Sequence, residues 1–257
     1  MSINSASPSS SSSSARTSSS VRTSSRALAI RAARQTFAWA SGVSGVIFLI
    51  LLALVWPGLT RGWDAGITAA VVAHRNGVLN VVAPALSKLG GTAIVLVLAV
   101  VGLALLAWKK KWLQVKIFFA ALAGDVIIVT AFKRLVSRPR PDASLWLGHV
   151  EDQQSFPSGH SANNTVLWLM LAIIISTMAK SEVERAWARA FNVVAVIIPL
   201  LIGLSRIYVA HHWTTDVLGG WALGFAWTAF CAWVYFGQLA QLQARVGAGR
   251  GAIRPKN

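Results

Sequence analysis

Long apolar runs alternate with short polar segments along most of the chain, and this pattern predicts its architecture. Six runs are long enough to cross a bilayer, for which a helix needs roughly 20 apolar residues. Tryptophans stand near several of their ends, where amphipathic rings favour the membrane interface. The runs are residues 37–56, 91–108, 112–132, 161–178, 190–207 and 214–237. We therefore predict an all-α fold, an integral membrane six-helix bundle.

The composition of the 257-residue chain supports this prediction. Hydrophobic residues make up 55% of the chain and charged residues only 12%, whereas a soluble domain usually carries about 25% charged residues. The single cysteine, Cys231, lies in the last apolar run and can form neither an internal disulfide nor a zinc site alone. We expect it to pack as a small apolar side chain.

The formal net charge of +16 follows the membrane topology. With six spans both ends of the chain share one side of the membrane, and most lysines and arginines flank the span ends on that side. The positive-inside rule therefore places both termini in the cytoplasm. We expect the membrane to be a bacterial inner membrane. No basic module interleaved with aromatic residues accompanies the charge, so nucleic-acid binding is not expected.

Three of the segments outside the six runs have predictions of their own. Residues 1–27 contain 14 serines and no acidic residue, which predicts a disordered cytoplasmic tail; an organelle transit peptide is the alternative interpretation. Residues 63–90 carry apolar residues at helical spacing, which indicates an interfacial helix on the outer surface. Residues 241–257 are basic and form a predicted cytoplasmic C-terminal tail, which leaves residues 28–240 as the membrane domain.

Three short motifs carry the side chains that phosphate chemistry needs. Arginine and lysine bind phosphate oxygens, and a serine and a glycine at a helix start offer a hydroxyl and backbone N–H groups. Histidines beside a carboxylate can act as nucleophile and proton donor. The motifs are Lys133-x6-Arg140-Pro141, Pro157-Ser158-Gly159-His160 and Ser205-Arg206-x5-His212-x3-Asp216.

Membrane topology brings the three motifs to one face. If the chain starts in the cytoplasm, four run ends lie at the outer face: the end of the third run, the start of the fourth, the end of the fifth and the start of the sixth. Each of these ends carries part of a motif. His212 and Asp216, four residues apart at a helix start, can contact each other. His211 has Thr215 at that spacing, which cannot play the same electrostatic part. His149 has no comparable partner and is predicted to lie on the surface.

Other polar residues near the motifs have more than one interpretation. Arg138 also precedes a proline, but the residue seven positions earlier is alanine, so Arg134 and Arg138 are interpreted as cations that attract anionic headgroups or are solvated at the interface. Asn163 and Asn164 either line the entrance of the site or cap the helix start. Asp125, within the third run, either pairs with a polar group between helices or relays protons.

Together the motifs resemble the signature of the lipid phosphate phosphatase family, the type-2 phosphatidic acid phosphatases of the phosphatase/haloperoxidase superfamily. The resemblance implies that His212 attacks phosphorus and forms a phosphohistidine, that Asp216 orients it, and that His160 protonates the leaving oxygen and then activates water. It implies a phosphate-binding set of Lys133, Arg140, Ser158, Gly159 and Arg206. No metal or cofactor is predicted, because the outer loops lack clustered carboxylate and histidine spacing.

The leading interpretation is an integral membrane phosphatase that acts on a lipid phosphate or pyrophosphate at the periplasmic or lumenal face. Phosphatidic acid, phosphatidylglycerol phosphate and undecaprenyl pyrophosphate are all admissible substrates. Two alternatives stay open: phosphotransfer between lipids on the same site, and non-enzymatic transport of phosphorylated lipids, which only Asp125 favours. A haloperoxidase is disfavoured because those relatives are soluble. Lipids are the expected partners, and the oligomeric state is not predicted.

Overall fold

Helices make up almost all of the secondary structure in the computed structural model, which describes residues 11–150 and 152–252. Within those residues there is no strand, and one 3₁₀ helix occurs at Ala143–Leu145. The α-helices are α1 (Ser11–Val55), α2 (Arg61–Ala73), α3 (Gly77–Leu89), α4 (Thr92–Trp108), α5 (Trp112–Val136), α6 (Gly159–Met178), α7 (Glu182–Tyr208) and α8 (Thr214–Ala252). The predicted all-α class is confirmed.

The spanning helices agree with the apolar runs. Five helices in the described part of the chain are long and apolar enough to cross a membrane: α1, α5, α6, α7 and α8. A sixth span results if α3 and α4, which meet at a 45° bend, are taken as one broken span. Large apolar side chains remain exposed on the outer helices, and these suit contact with lipid tails; examples are Leu49, Val97, Ile127 and Val193. The chain is an integral membrane protein.

The segment before α4 differs from the single interfacial helix predicted for residues 63–90. It forms two helices, because Asn76 stops the first and caps the second by accepting a hydrogen bond from Leu79 N at 3.0 Å. The second helix, α3, packs on α7 and continues through Gly90 into α4. A Cβ at Gly90 would lie 2.3 Å from Ile202 Cγ2, so only glycine allows this approach.

The chain comprises two compact units. One consists of residues 37–232 and holds every motif residue. The other combines the described parts of residues 1–36 and 233–257, and in it the Arg34 guanidinium lies over the Trp233 ring. Helix α1 begins at Ser11, within the predicted tail, whereas residues 1–10 and 253–257 lie outside the described residues. The domain boundaries at residues 27 and 240 stay predictions.

Helix α6 forms the centre of the larger unit. Its residues Val166, Leu167 and Met170 are fully buried against Phe118 and Ala121 of α5. Helix α6 also packs on α7 and α4. Because α6 begins with the second motif, this packing fixes the position of that motif relative to the helices around it.

Helix α8 approaches its neighbours through glycines. A Cβ at Gly220 would lie 2.5 Å from Ser158 O, so the α8 backbone lies directly against the start of α6. Two tryptophans of α8 lie over glycines of other helices, and their indole N–H groups donate to carbonyls there: Trp221 to Pro199 O at 3.0 Å and Trp227 to Ala121 O at 2.8 Å. These contacts hold α8 against α5, α6 and α7.

Candidate active site

His212 and Asp216 form a buried pair at the turn from α7 into α8. Asp216 Oδ2 lies 3.5 Å from His212 Nδ1 and accepts a hydrogen bond from Trp213 N at 2.9 Å. On the opposite side of the ring, Arg140 Nη1 lies 3.0 Å from His212 Nε2. Because a guanidinium only donates, we assign the lone pair to Nε2 and the ring proton to Nδ1, which faces the carboxylate.

The surroundings of His212 favour its neutral form. Burial lowers the pKa of the imidazole well below its ordinary value, and the charges of Arg140, Arg206, Lys133 and His160 lower it further, in that order. A neutral ring keeps the Nε2 lone pair available at physiological pH. These four side chains come from all three motifs, so the three motifs meet around the His212 imidazole.

Lys133 and Arg140 share an anionic partner in the loop before α6. Lys133 Nζ lies 3.2 Å from Asp152 Oδ2 and donates to Gln154 O at 2.6 Å. Arg140 Nη2 donates to Asp152 Oδ1 at 2.5 Å and its Nε donates to Asp152 O at 2.7 Å. Arg140 Nη1 also donates to His211 O. Two predicted phosphate-binding cations are therefore paired with one carboxylate.

Asp152 differs from these cations in its exposure. Its side chain is 52% exposed, compared with 12% for Lys133 and 4% for Arg140. Partial burial by itself would raise the pKa of the Asp152 carboxyl, but the hydrogen bond from Arg140 and the charge of Lys133 hold that pKa below its ordinary value. Asp152 therefore stays ionised at neutral pH and lies at the solvent side of the two cations.

The second motif provides the start of α6. Ser158 is the N-cap residue, and its Oγ accepts hydrogen bonds from Ser161 N at 3.4 Å and from Ser161 Oγ at 3.0 Å. Its backbone N donates to Asp216 O at 3.0 Å, which joins this motif to the third. A Cβ at Gly159 would lie 3.9 Å from Lys133 Cε. His160 follows in the first turn, partly buried.

Arg206 and His211 complete the site from the α7 side. Arg206 is buried in the last turn of α7, and its Nη1 donates to Ser87 Oγ of α3 at 2.5 Å. Burial and the charges of Arg206 and Arg140 lower the pKa of His211 to about 3. The His211 ring packs against Trp146, at 5.8 Å between centroids, rather than against a carboxylate. Asp216 therefore faces the His212 ring, and His211 lies beside an aromatic ring instead.

Arg138 is the largest departure from the sequence interpretation, which describes it as a headgroup or solvated cation. It is buried, and its guanidinium bridges two buried carboxylates: Nη1 lies 2.6 Å from Asp216 Oδ1 and Nη2 lies 2.7 Å from Asp64 Oδ2. Arg134, by contrast, is exposed. Asp64 of α2 and Arg138 are not among the defining residues of any motif. The sequence marks them only as charged residues beside apolar helices.

The polar residues deeper in the bundle bond to backbone and to one another. Asn164 donates to Gly90 O at 2.9 Å and to His160 O at 2.8 Å, so it is a buried link between helices. The Asn163 amide, oriented with its nitrogen toward its acceptor neighbours, donates to Asp125 Oδ2 at 2.9 Å and to Gly159 O at 3.1 Å. Asp125 thus pairs with a polar group between helices, one of its two interpretations.

A metal cluster does not occur among residues 11–150 and 152–252, where no group of three or more histidine, cysteine or acidic side chains could hold an ion. The positive charge beside His212 comes from lysine and arginine side chains. Their three motif members, Lys133, Arg140 and Arg206, provide the donors that suit a phosphoryl group.

Comparison with known families identifies this arrangement. The model of the PAP2 superfamily matches residues 114–239, which include all three motifs and the helices that carry them. This segment of the chain belongs to the PAP2 superfamily. The predicted family is therefore confirmed.

Two curated proteins that resemble this chain are lipid phosphatases by name. Phosphatidylglycerophosphatase B of Bacillus subtilis is 29% identical over 180 residues, which cover 70% of this chain and 86% of that protein. Decaprenylphosphoryl-5-phosphoribose phosphatase of Mycobacterium tuberculosis is 33% identical over 135 residues, which cover 50% of this chain and 64% of that protein.

Solved PAP2 structures have the same fold. The crystal structure of a transmembrane PAP2-type phosphatidylglycerolphosphate phosphatase from Bacillus subtilis superposes with a TM-score of 0.68 at 28% identity, over 75% of this chain and 94% of that one. The structure of Aquifex aeolicus LpxE superposes with a TM-score of 0.51 at 21% identity, over 67% of this chain and 94% of that one. The second likeness supports the fold alone.

Proposed function

We propose that this protein is a membrane phosphatase that hydrolyses a lipid phosphate or lipid pyrophosphate through a phosphohistidine on His212. The observation that carries the proposal is the buried His212, whose Nδ1 faces Asp216 while its Nε2 accepts from Arg140 beside the cations of the first and third motifs. Binding alone would not require a nucleophile oriented by a carboxylate. The relatives named above, which are phosphatases of lipid phosphates, support the same class of reaction.

The first chemical step is attack of His212 Nε2 on phosphorus. A bond forms between nitrogen and phosphorus, the bond from phosphorus to the lipid oxygen breaks, and protonated His160 gives its proton to that oxygen. The Arg140 N–H that now points at Nε2 turns to a phosphoryl oxygen. Asp216 stabilises the positive charge that develops on the imidazole.

Water completes the reaction in the second step. His160, now neutral, takes a proton from a water molecule whose oxygen attacks phosphorus, and the bond between phosphorus and nitrogen breaks. Lys133, Arg140 and Arg206 neutralise the phosphoryl oxygens in both steps, with help from Ser158 and the Gly159 N–H. These side chains carry positive charge of their own, so we propose that the reaction needs no metal ion.

The proposed orientation follows from the distribution of charge. Most lysines and arginines flank the span ends shared with the termini, which favours cytoplasmic termini and a site at the periplasmic or lumenal face. A site at the helix ends suits a substrate whose phosphate lies at the membrane interface while its tail stays in the bilayer. Phosphatidic acid, phosphatidylglycerol phosphate and polyprenyl pyrophosphate all meet this description.

The experiment is phosphate release from a panel of these lipids in detergent micelles. We expect His212→Ala to lower turnover by at least about a thousandfold, and His149→Ala, which replaces an exposed histidine outside the site, to leave it unchanged. Acid quenching with labelled substrate should trap an acid-labile phosphoenzyme in the wild type only. Full activity of His212→Ala would exclude the mechanism.

The same samples separate the alternatives. If another lipid takes the phosphoryl group, label appears in a lipid product and not as free phosphate. If the protein only binds or transports phosphorylated lipids, no lipid in the panel releases phosphate. Complete loss of activity in EDTA, with restoration by magnesium, would exclude a metal-independent reaction.

A further inference from the structure

A chain of buried charges extends from His212 away from the phosphate side of the site. Asp216 contacts His212 Nδ1 through Oδ2 and Arg138 through Oδ1. Arg138 in turn contacts Asp64 of α2. The exposed fractions of the Asp64 and Asp216 side chains are both 0%, and that of Arg138 is 8%. Four residues therefore connect α2, the end of α5 and the start of α8 almost entirely out of contact with solvent.

Thr215 fixes the geometry of this chain. Its backbone N donates to Asp64 Oδ1 at 3.0 Å, and its Oγ1 donates to Asp64 Oδ2 at 2.6 Å. The same hydroxyl accepts a hydrogen bond from Arg138 Nη1 at 2.8 Å. Thr60 adds a contact of 3.2 Å to Arg138 Nη2. Because these bonds share atoms, a shift of Asp64 moves Arg138 and Asp216 together.

The balance of charge matters for His212. Two carboxylates and one guanidinium leave a net negative charge in the group. If Asp64 were neutral, Arg138 would be balanced by Asp216 alone, and the pull of Asp216 on the developing imidazolium would weaken. If Arg138 were absent, two buried carboxylates would lose their shared counter-ion, which is costly.

We propose that Asp64 and Arg138 are positioning residues for His212: they hold Asp216 in place and set how strongly it stabilises the charged imidazole. This inference rests on the proposed phosphohistidine reaction. Neither residue defines a motif: Arg138 occupies one of the unspecified positions between Lys133 and Arg140, and Asp64 lies outside the region that the family model matches. Both act through Asp216 and contact no part of the phosphate-binding set.

A double-mutant cycle on turnover tests the proposal. Asp64→Asn keeps the shape of the side chain and removes its charge. We expect kcat to fall about 10-fold while KM changes less than about 2-fold, because Lys133, Arg140 and Arg206 are intact. In an Asp216→Asn background the same change should lower kcat less than about 2-fold, because the residue through which Asp64 acts is already neutral.

Conservative variants provide matched controls. Arg138→Lys retains the charge but cannot bridge two carboxylates, so kcat should fall, whereas Arg134→Lys, at an exposed position in the same helix end, should not change it. If Asp64→Asn does not fold, Thr215→Val removes the shared hydroxyl, and Thr215→Ser restores it. Turnover should then fall in the valine variant and recover in the serine variant.

Each result supports or overturns the proposal. Equal losses of kcat from Asp64→Asn in both backgrounds, or an unchanged kcat in the folded single variant, would show a structural role only. A rise in KM with constant kcat would likewise overturn it. These failures differ from failure of the proposed function, in which the wild type itself releases no phosphate from any lipid, and which would overturn both.

Discussion

Asp152 pairs with Lys133 and Arg140, and in the proposed reaction a substrate phosphate replaces its carboxylate. We expect Asp152→Asn to lower the inhibition constant of inorganic phosphate by about 2- to 5-fold, because an exposed ion pair contributes at most about 1 kcal/mol. Because the pKa of Asp152 is lowered, its carboxylate is ionised throughout the range from pH 5 to 8. The ratio of the two inhibition constants should therefore be constant over that range.

Asp142 provides the control for this variant. It is exposed in the same connection, but its carboxylate accepts a hydrogen bond from Ser144 N at 2.8 Å and contacts neither cation. Asp142→Asn should therefore leave inhibition by phosphate unchanged. Weaker inhibition in Asp152→Asn would instead mean that the carboxylate orients the two cations for phosphate.

At the level of single residues, the motifs predict which side chains come together but not what supports them. His212 and Asp216 are four residues apart, so helix geometry alone pairs them. Asp64 lies 74 residues before Arg138, which lies 78 before Asp216. Nothing local in the sequence encodes such a pairing, and for that reason sequence alone favours a surface position for Arg138.

Helix packing depends on glycines where α8 meets α6. Gly220→Ala would place a Cβ 2.5 Å from Ser158 O and 2.8 Å from Ser161 Cβ, so the two helices must separate. We expect a loss of about 1–3 kcal/mol in stability, measured as a lower thermal midpoint in detergent. Activity should fall as well, because Ser158 caps the helix that carries His160.

Gly45→Ala in α1 is the matched control, because nothing lies within 4 Å of the added methyl group. Its thermal midpoint should equal that of the wild type. An unchanged midpoint in Gly220→Ala would show that α6 and α8 can separate without cost, and that close backbone contact does not determine the geometry of the site.

At the level of helices, apolar length predicts the spans better than it predicts their breaks. Runs of apolar residues mark α4 to α8 because only a continuous helix satisfies its backbone in lipid. The bend between α3 and α4 depends on the close approach of Gly90 to Ile202, which belongs to a helix more than a hundred residues later. Apolar spacing also merges the separate helices α2 and α3 into one interfacial helix, because it does not register the Asn76 cap between them.

The proposed orientation can be tested on the whole molecule by labelling. In a Cys231→Ala background, a cysteine at Asp142 lies beyond the end of α5 and one at Lys109 lies before its start. We expect a membrane-impermeant maleimide to label Asp142→Cys in intact cells and Lys109→Cys only after lysis. The reverse pattern would place the site at the cytoplasmic face.

The short helices α2 and α3 contribute to a site whose signature lies entirely after them. Asp64 of α2 pairs with Arg138, and Ser87 of α3 accepts a hydrogen bond from Arg206. Asp64 and Ser87 both precede residue 114, where the family match begins. If Asp64 positions His212 as proposed, we expect homologues with identical signatures to differ in catalytic efficiency through their amino-terminal halves. A chimera that carries the amino-terminal half of a homologue would keep every signature residue. We expect its turnover to follow that of the homologue that supplied this half.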